Sequence, residues 1–251
     1  SVINLDTLSA IGIGETIYFV FIWVFIFLAY GTTPLVSSLN TKNEINKLNY
    51  FINFGRNVSI LLGLGSFLIL YVSSGNLIST FQPTPNIQLL SSDYLVFRCI
   101  GLPFYLVNMH STAVLRGLKY AKITFYSALI VSISNIFFSL FFGLFLGFGA
   151  GGIGFASSLA FFCASIYSTI ILKKQLNNIP SSKEAIDKPS LRKKFFSVGI
   201  YILIRSLFLT LFMAYLRNRA SLMSMEEIAL QHILLQLWSV GYIFVDAIAI
   251  A

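Results

Sequence analysis

Seven long apolar stretches follow one another along the chain, separated by short segments rich in polar, glycine or proline residues. They lie at about 11–35, 54–74, 92–115, 123–146, 150–172, 195–217 and 227–250. Each is close to the roughly 20 residues that an α-helix needs to cross the hydrocarbon layer of a bilayer. The pattern predicts an all-α, multi-pass integral membrane protein with seven transmembrane helices, and the connections are too short to hold a soluble domain.

The composition supports this prediction. Hydrophobic residues make up 57% of the 251 residues, charged residues only 10%, and the mean hydropathy is +0.83, whereas soluble domains carry about 25% charged residues. Soluble enzymes, disordered tails and secreted disulfide scaffolds are excluded. Cys99 and Cys163 lie inside apolar runs without metal-ligand spacing, so we interpret them as buried thiols.

Positive charges concentrate in alternate connections. Most of the 17 Lys and Arg residues flank the first, third and fifth connections, while the opposite side receives Arg217 and Arg219. Because cytoplasmic loops carry the excess of Lys and Arg, these three connections are predicted to be cytoplasmic and residue 1 to start outside. Topology thereby accounts for the net charge of +8, and we expect no nucleic-acid partner.

Ionisable residues inside spans are the strongest functional candidates, because a lone charge in the membrane persists only in a cavity or a pair. Arg116 is close enough to a helix end for its side chain to reach the membrane interface. Glu15 and Arg98 could equally reach the interface or have a functional role inside the membrane. Arg205 and Asp246 are harder to explain in this way. Asp246 is the only acid that we expect deep enough in the membrane to contribute to a functional site.

Two predicted spans carry a polar face. On the last span His232, Gln236, Ser239 and Asp246 fall within an arc of about 80°. On span 123–146, Asn135 shares one face with Thr124, Ser127 and Ser139. Such faces either form hydrogen bonds to neighbouring helices or line a water-filled pathway, and the sequence leaves both interpretations open.

Two further features concern helix geometry. Pro103, after Gly101, predicts a kink in the third span, and such kinks occur in helices that bend during transport. The glycine run at 147–154 spells a dinucleotide-binding motif twice, but it joins two membrane helices rather than a strand and a helix. We therefore predict a tight hairpin with close helix packing.

The sequence contains no recognisable enzyme site. Metal-ligand spacing, a Gly-x-Ser-x-Gly elbow and the paired aspartates of intramembrane proteases are missing from it. His110 and His232 are isolated, and we interpret His110 as packed in a helix interface. We expect neither enzymatic activity nor a cofactor.

Several motifs resemble the multidrug and toxic compound extrusion (MATE) transporters, nearest to their DinF-like branch. Residues 226–238, Glu-Glu-Ile-Ala-Leu-Gln-His-Ile-Leu-Leu-Gln-Leu-Trp, and 246–251, Asp-Ala-Ile-Ala-Ile-Ala, are similar to the family's eighth helix. Residues 31–36, Gly-Thr-Thr-Pro-Leu-Val, resemble the end of its second helix. Residues 94–103 and 114–118 resemble the two ends of the fourth, and residues 204–207 the seventh. At 119–124 the chain has Lys-Tyr-Ala-Lys-Ile-Thr where the family usually has Gly-Asp-Thr-Lys-Thr-Pro.

The resemblance implies helices two to eight of a twelve-helix protein whose two six-helix lobes form a V. Residues 1–173 would be most of the N-terminal lobe with five spans, 174–190 a basic cytoplasmic inter-lobe loop, and 191–251 the start of the C-terminal lobe with two spans. We therefore expect the natural chain to be longer at both ends.

The implied function is a secondary active antiporter that exports drugs or organic anions in exchange for protons or sodium by alternating access. Its partners would be the lipid bilayer and a small organic solute, and it would be a monomer. Arg205 would bind an organic anion or pair with Asp246. The plasma or bacterial inner membrane and the plastid envelope remain open as locations. A flippase for lipid-linked oligosaccharides, with Arg98 and Arg116 lining its cavity, and a non-transporting seven-helix membrane protein remain alternatives.

Overall fold

The computed structural model describes residues 5–177 and 188–220, together with Leu237 and Gly241. In these ranges every regular element is a helix. The elements are α1 (Leu5–Val24), α2 (Phe27–Thr41), α3 (Ile45–Ser79), α4 (Pro85–Cys99), α5 (Leu102–Gly117), α6 (Ala121–Phe138), a π-helix (Ser139–Phe145), α7 (Gly149–Asn177) and α8 (Lys188–Ala220). The chain divides into two compact units, Ser1–Leu203 and Ile204–Ala251, of which the first holds α1 to α7.

The helices confirm a multi-pass membrane protein. Among the described residues, four helical segments are long and apolar enough to cross a bilayer, and α4 and α5 together form a fifth, bent by 45°. The four are Leu5–Thr41, which comprises α1 and α2, then Ile45–Ser79, Ala121–Phe145 and Gly149–Leu176. These five segments match the first five predicted spans.

The observed helices are longer than the apolar runs that predict them. The first span extends from Leu5 to Thr41 and α3 begins at Ile45, because polar residues at a membrane interface continue the backbone hydrogen-bond ladder. The sixth predicted span, 195–217, lies within α8. The seventh, 227–250, falls almost wholly outside the described residues, and the predicted division into lobes stays a prediction.

Helix ends follow local backbone chemistry. Thr84 is extended and Pro85 occupies the first turn of α4, where its missing N–H costs nothing. After α5, Lys119 adopts a left-handed φ of 66°, and the N–H of Tyr120 donates to the carbonyl of Leu115 at 2.8 Å. This arrangement satisfies carbonyls of the last turn and ends the helix.

The glycine run forms the predicted hairpin between the π-helix and α7. Gly147 and Gly149 have φ values of 72° and 54°, a region that side chains with a Cβ atom rarely adopt. Within the π-helix turn, the N–H of Leu146 donates to the carbonyl of Phe141 at 2.9 Å. The glycines therefore serve backbone geometry, as the sequence predicts.

Two clusters of buried apolar residues hold the first unit together. One joins α2, α3, α5 and the start of α8, and the other joins α1, α3, α4 and the start of α5. In the first cluster Phe195 of α8 is fully buried, and its ring centroid lies 5.5 Å from that of Phe51 and 6.1 Å from that of Phe27. Large apolar side chains such as Phe137 and Phe145 stay exposed on α6 and the π-helix, as expected for a surface that faces lipid.

Candidate functional site

A charged pair lies between α1 and α4, within the helices of the first unit. The Nε atom of Arg98 is 3.2 Å from Oε1 of Glu15. Arg98 is only 6% exposed, whereas the Glu15 side chain is 26% exposed. Both residues lie within membrane-spanning helices, so the pair places opposite charges in a low-dielectric region where neither is tolerated alone.

Aromatic side chains surround the guanidinium. Its central carbon lies 4.3 Å from the ring centroid of Tyr18 and 5.6 Å from that of Phe161, distances at which a cation is attracted to a ring face. The Tyr94 hydroxyl donates a hydrogen bond to the Glu15 carboxylate. Tyr105 packs edge-on against Phe161, with ring centroids 4.8 Å apart.

Helical spacing brings these groups together. Glu15 and Tyr18 are one turn apart on α1, and Tyr94 and Arg98 are one turn apart on α4, so each helix presents its two groups on one face. The Tyr94 ring packs over Gly14, where a Cβ atom would overlap the ring. This contact brings the two helices close enough for the ion pair to form.

The break between α4 and α5 follows directly after Arg98. The Ser158 hydroxyl of α7 lies 2.7 Å from the carbonyl oxygen of Phe97 and 3.0 Å from that of Arg98. These carbonyls belong to the last turn of α4, where intrahelical donors run out. Helix α7 therefore braces the bend beside the charged pair.

Two buried donors at the pair lack a hydrogen-bond acceptor among the described residues. They are Nη1 of Arg98 and the hydroxyl of Tyr18. Nε of Arg98 faces Glu15 at ion-pair distance but outside hydrogen-bond geometry. These buried donors can therefore donate hydrogen bonds to an additional oxygen acceptor.

This geometry bears on the two interpretations of Glu15 and Arg98, which either reach towards the membrane interface or form a pair. Arg98 does not reach towards a membrane interface, because it is buried against Tyr18 and paired with Glu15. Glu15, an acid of the first span, is the partner of Arg98 in this pair, whereas Asp246 lies outside the described residues and its role stays a prediction. One signal in the sequence could have indicated this pair. An acid and a base occur in two different predicted spans, each with a tyrosine one helical turn away.

The polar face of α6 forms hydrogen bonds to neighbouring helices. Asn135 donates to the Ser157 hydroxyl of α7 at 3.2 Å and accepts from Ser139 at 3.0 Å. Ser127 donates to the side-chain oxygen of Asn108 on α5 at 2.9 Å. Of the two interpretations of this face, helix packing is the one that these contacts support.

His110 is packed in a helix interface, as predicted. It is fully buried, and its Nε2 lies 3.1 Å from the carbonyl oxygen of Ile52 on α3. Because a carbonyl only accepts, Nε2 is the protonated nitrogen. His110 therefore links α5 to α3 and has no contact with the charged pair.

Pro103 is the second residue of α5, next to the 45° bend. An apolar groove of about 510 Å³ lies along this bend, with Leu64, Phe67 and Phe104 among its lining residues. Pro103 thus has the predicted position, and its role in gating stays a prediction.

The other predicted site residues lie in the second unit, and most of them are not described. Arg205 lies on the exposed surface of α8, in the second unit. His232, Gln236, Ser239 and Asp246 lie outside the described residues, so a pair between Arg205 and Asp246 stays a prediction. In the part of the chain that the structure describes, no group of three or more His, Cys, Asp or Glu side chains could hold a metal ion.

Comparison with known proteins supplies the family context. Residues 3–141 match the family model MatE. The chain is 24% identical to Protein DETOXIFICATION 43 of Arabidopsis thaliana over 196 residues, which cover 77% of the chain and 36% of the relative. It is 28% identical to Lipid II flippase MurJ of Thermosipho africanus over 159 residues, which cover 59% of the chain and 33% of the relative.

Solved transporter structures share the fold. The MATE transporter VcmN of Vibrio cholerae in its bent form has a TM-score of 0.81 at 13% identity, with 96% of the chain and 53% of that structure covered. A MOP superfamily transporter from Pyrococcus furiosus has a TM-score of 0.75 at 18% identity, with 86% and 48% covered. The matched region spans about a third of the curated relatives and about half of these structures.

Proposed function

The chain belongs to the MatE family, and we propose that it works as part of a secondary active antiporter that exports organic solutes by alternating access. Protons or sodium ions would drive the export. Solutes carrying a carboxylate and cationic drugs are both candidates. We expect this transport to need a coupling cation and no cofactor.

The observation that carries this proposal is the Glu15–Arg98 pair. Charged side chains inside a membrane protein concentrate where ions or polar solutes pass. Apolar clusters and hydrogen bonds between neutral side chains already join the helices of the first unit, so helix packing does not require the free-energy cost of burying two charges. A carboxylate that can gain a proton or bind a cation is the group that a coupled transporter needs.

The test is solute export from proteoliposomes that contain the full-length protein. Ethidium and benzoate serve as cationic and anionic probes, and a proton or a sodium gradient is imposed separately. We expect export of at least one probe under one gradient, and its loss when an ionophore for that cation collapses the gradient. Protein-free liposomes are the control. Absence of export under both gradients would contradict the proposal and favour a non-transporting membrane protein.

A flippase for lipid-linked oligosaccharides is the second candidate, because the chain resembles a lipid II flippase. Such a function favours a cavity with unpaired positive charge to attract the diphosphate. Arg98 is instead neutralised by Glu15, which weakens this candidate. Protein-dependent translocation of a fluorescent lipid diphosphate across the same proteoliposomes would support it.

A further inference from the structure

A small cavity lies where three helices of the first unit come together, away from the charged pair. It is formed by α2, by the turn that joins α2 to α3, and by the first turn of α8, and its volume is about 230 Å³. We call it the interface cavity. Its apolar lining residues are Leu35, Leu39 and Leu191, and its charged ones are Lys42, Glu44 and Lys47.

The interface cavity lies at an end of the membrane-spanning segments. The first segment ends at Thr41 and the next begins at Ile45, so the turn between them lies at the bilayer surface. Leu35 and Leu39 are buried, whereas Lys42, two helical turns beyond Leu35, is exposed. The cavity therefore passes from apolar to charged surroundings, as a phospholipid does from its acyl chains to its headgroup.

The turn between α2 and α3 holds the charged residues on a fixed backbone. Asn43 has a left-handed φ of 55°. The N–H of Glu44 donates to the carbonyl of Leu39 at 3.0 Å, and that of Asn43 donates to the carbonyl of Asn40 at 3.1 Å. These two hydrogen bonds are those of a Schellman motif, which closes a helix within a few residues. Lys42 therefore extends from an ordered turn rather than from a long loop.

The start of α8 forms the third wall of the cavity and adds positive charge beside it. Nε of Arg192 donates to the Tyr50 hydroxyl of α3 at 2.6 Å, and its guanidinium carbon lies 5.2 Å from the ring centroid of Phe54. These contacts fix the first turn of α8, which carries Leu191, against α3. Nζ of Lys188 lies 5.6 Å from the same Tyr50 ring, so α8 supplies two further cations next to the cavity.

The positive charge at the cavity is only partly neutralised. Nζ of Lys47 lies 3.0 Å from Oε1 of Glu44, whereas Lys42 has no carboxylate within ion-pair distance in the described part of the chain. Each lysine ammonium carries three hydrogen-bond donors. A phosphate ester supplies both the negative charge and the acceptor oxygens that these groups lack.

We propose that the interface cavity binds the headgroup of an anionic glycerophospholipid. The phosphate accepts hydrogen bonds from Lys42 and Lys47, and the glycerol end of the acyl chains lies against the three leucines. Basic clusters beside membrane-spanning helices on the cytoplasmic side bind anionic lipids through this chemistry, and the positive charges predict that this end faces the cytoplasm. Inorganic phosphate has the same charge but leaves the leucines without a partner. The inference goes beyond the proposed transport function and does not depend on it.

The experiment measures binding of phosphatidylglycerol with a fluorescent acyl chain to the purified full-length protein in detergent micelles. Fluorescence anisotropy reports binding, and unlabelled compounds compete with the labelled lipid. We expect phosphatidylglycerol to compete at least about tenfold better than phosphatidylcholine, which has no net charge. Inorganic phosphate and glycerophosphoglycerol, the headgroup without acyl chains, should compete far less effectively than the lipid.

Single substitutions locate the binding site. Lys42→Gln removes the unpaired ammonium and should weaken phosphatidylglycerol binding about fivefold. Lys122→Gln, an exposed position at the start of α6, is the matched control because it removes the same charge from a connection predicted to lie on the same side. It should change the affinity by less than about twofold. Glu44→Gln frees Lys47 and removes a negative charge, so it should tighten binding about twofold or more.

Four results would overturn the inference. Phosphatidylcholine competes as well as phosphatidylglycerol; inorganic phosphate or glycerophosphoglycerol competes as well as the lipid; Lys42→Gln and Lys122→Gln weaken binding equally, as general attraction to a basic surface requires; or Glu44→Gln weakens binding. The assay contains no ion gradient and no exported solute, so failure of the proposed antiporter would leave its outcome unchanged.

Discussion

The imidazole of His110 on α5 lies directly against Gly55 on α3, so close that a Cβ atom at position 55 would overlap the ring. The same imidazole binds the carbonyl of Ile52, one turn earlier on α3. A fully buried ring held by a hydrogen bond on one side cannot move away without losing that bond.

We therefore expect Gly55→Ala to destabilise the protein by about 1–3 kcal/mol through overpacking. Gly65→Ala, on the same helix with no atom near its Cβ position, should be neutral or stabilise by up to about 1 kcal/mol. The free energy of unfolding from SDS titration in mixed micelles measures both. Equal effects of the two substitutions would contradict the contact with His110.

Ser158→Ala tests the brace on the bend between α4 and α5. Its single O–H is shared between the carbonyls of Phe97 and Arg98. The Arg98 carbonyl also accepts from the N–H of Gly101, so removing the hydroxyl should cost about 1 kcal/mol. Ser165→Ala removes a hydroxyl that binds only within α7, to the carbonyl of Phe162, and should cost less. The same unfolding titration distinguishes the two, and a reversed order would show that the bend does not depend on Ser158.

Tyr94→Phe removes the hydroxyl that donates to Glu15 but keeps the ring that packs over Gly14. A hydrogen bond to a charged group contributes about 1.5–3 kcal/mol, and because Glu15 is partly exposed we expect a loss of about 1.5 kcal/mol. Tyr126→Phe on the exposed face of α6 is the control and should leave the unfolding free energy unchanged. A loss of the same size in both variants would show that the effect does not come from the hydrogen bond between Tyr94 and Glu15.

The predicted orientation can be tested with single cysteines. The middle of α2 packs against the C-terminal turn of α5, with Thr33 donating to the carbonyl of Ala113 at 3.0 Å and Gly117 lying against Val36. The first and third connections, which follow these two helices, therefore lie at one end. In a Cys99→Ala, Cys163→Ser background, Lys122→Cys should react with a membrane-impermeant maleimide only after the cells are opened. Thr84→Cys, at the start of α4, should react in intact cells. The opposite pattern would invert the topology.

The sequence is sufficient to predict the first five membrane-spanning segments, the bend and the glycine hairpin, because each depends on local chemistry. Apolar run length gives a span, Pro103 marks the bend, and Gly147 and Gly149 supply positive φ values. The helix ends were underestimated, since polar interface residues extend a helix without adding to an apolar run.

The Glu15–Arg98 pair could not be predicted, because periodicity shows which residues share one helix face but not which helix that face meets. The register between α1 and α4 depends on the fit of the Tyr94 ring over Gly14. For the same reason the polar face of α6 was open to two interpretations until the partners of Asn135 were known.

The charged pair also has a consequence for how the protein inserts into the membrane during synthesis. An arginine at the centre of a helix disfavours insertion by roughly 2.5–3.5 kcal/mol. Helix α4 is too short to cross the bilayer alone and forms one bent span with α5. Translation delivers α1 before α4, so Glu15 is already in the bilayer when Arg98 leaves the ribosome. Glu15 of the first span is therefore available to pair with Arg98 when the third span inserts. The order in which the helices are synthesised thus contributes to correct folding.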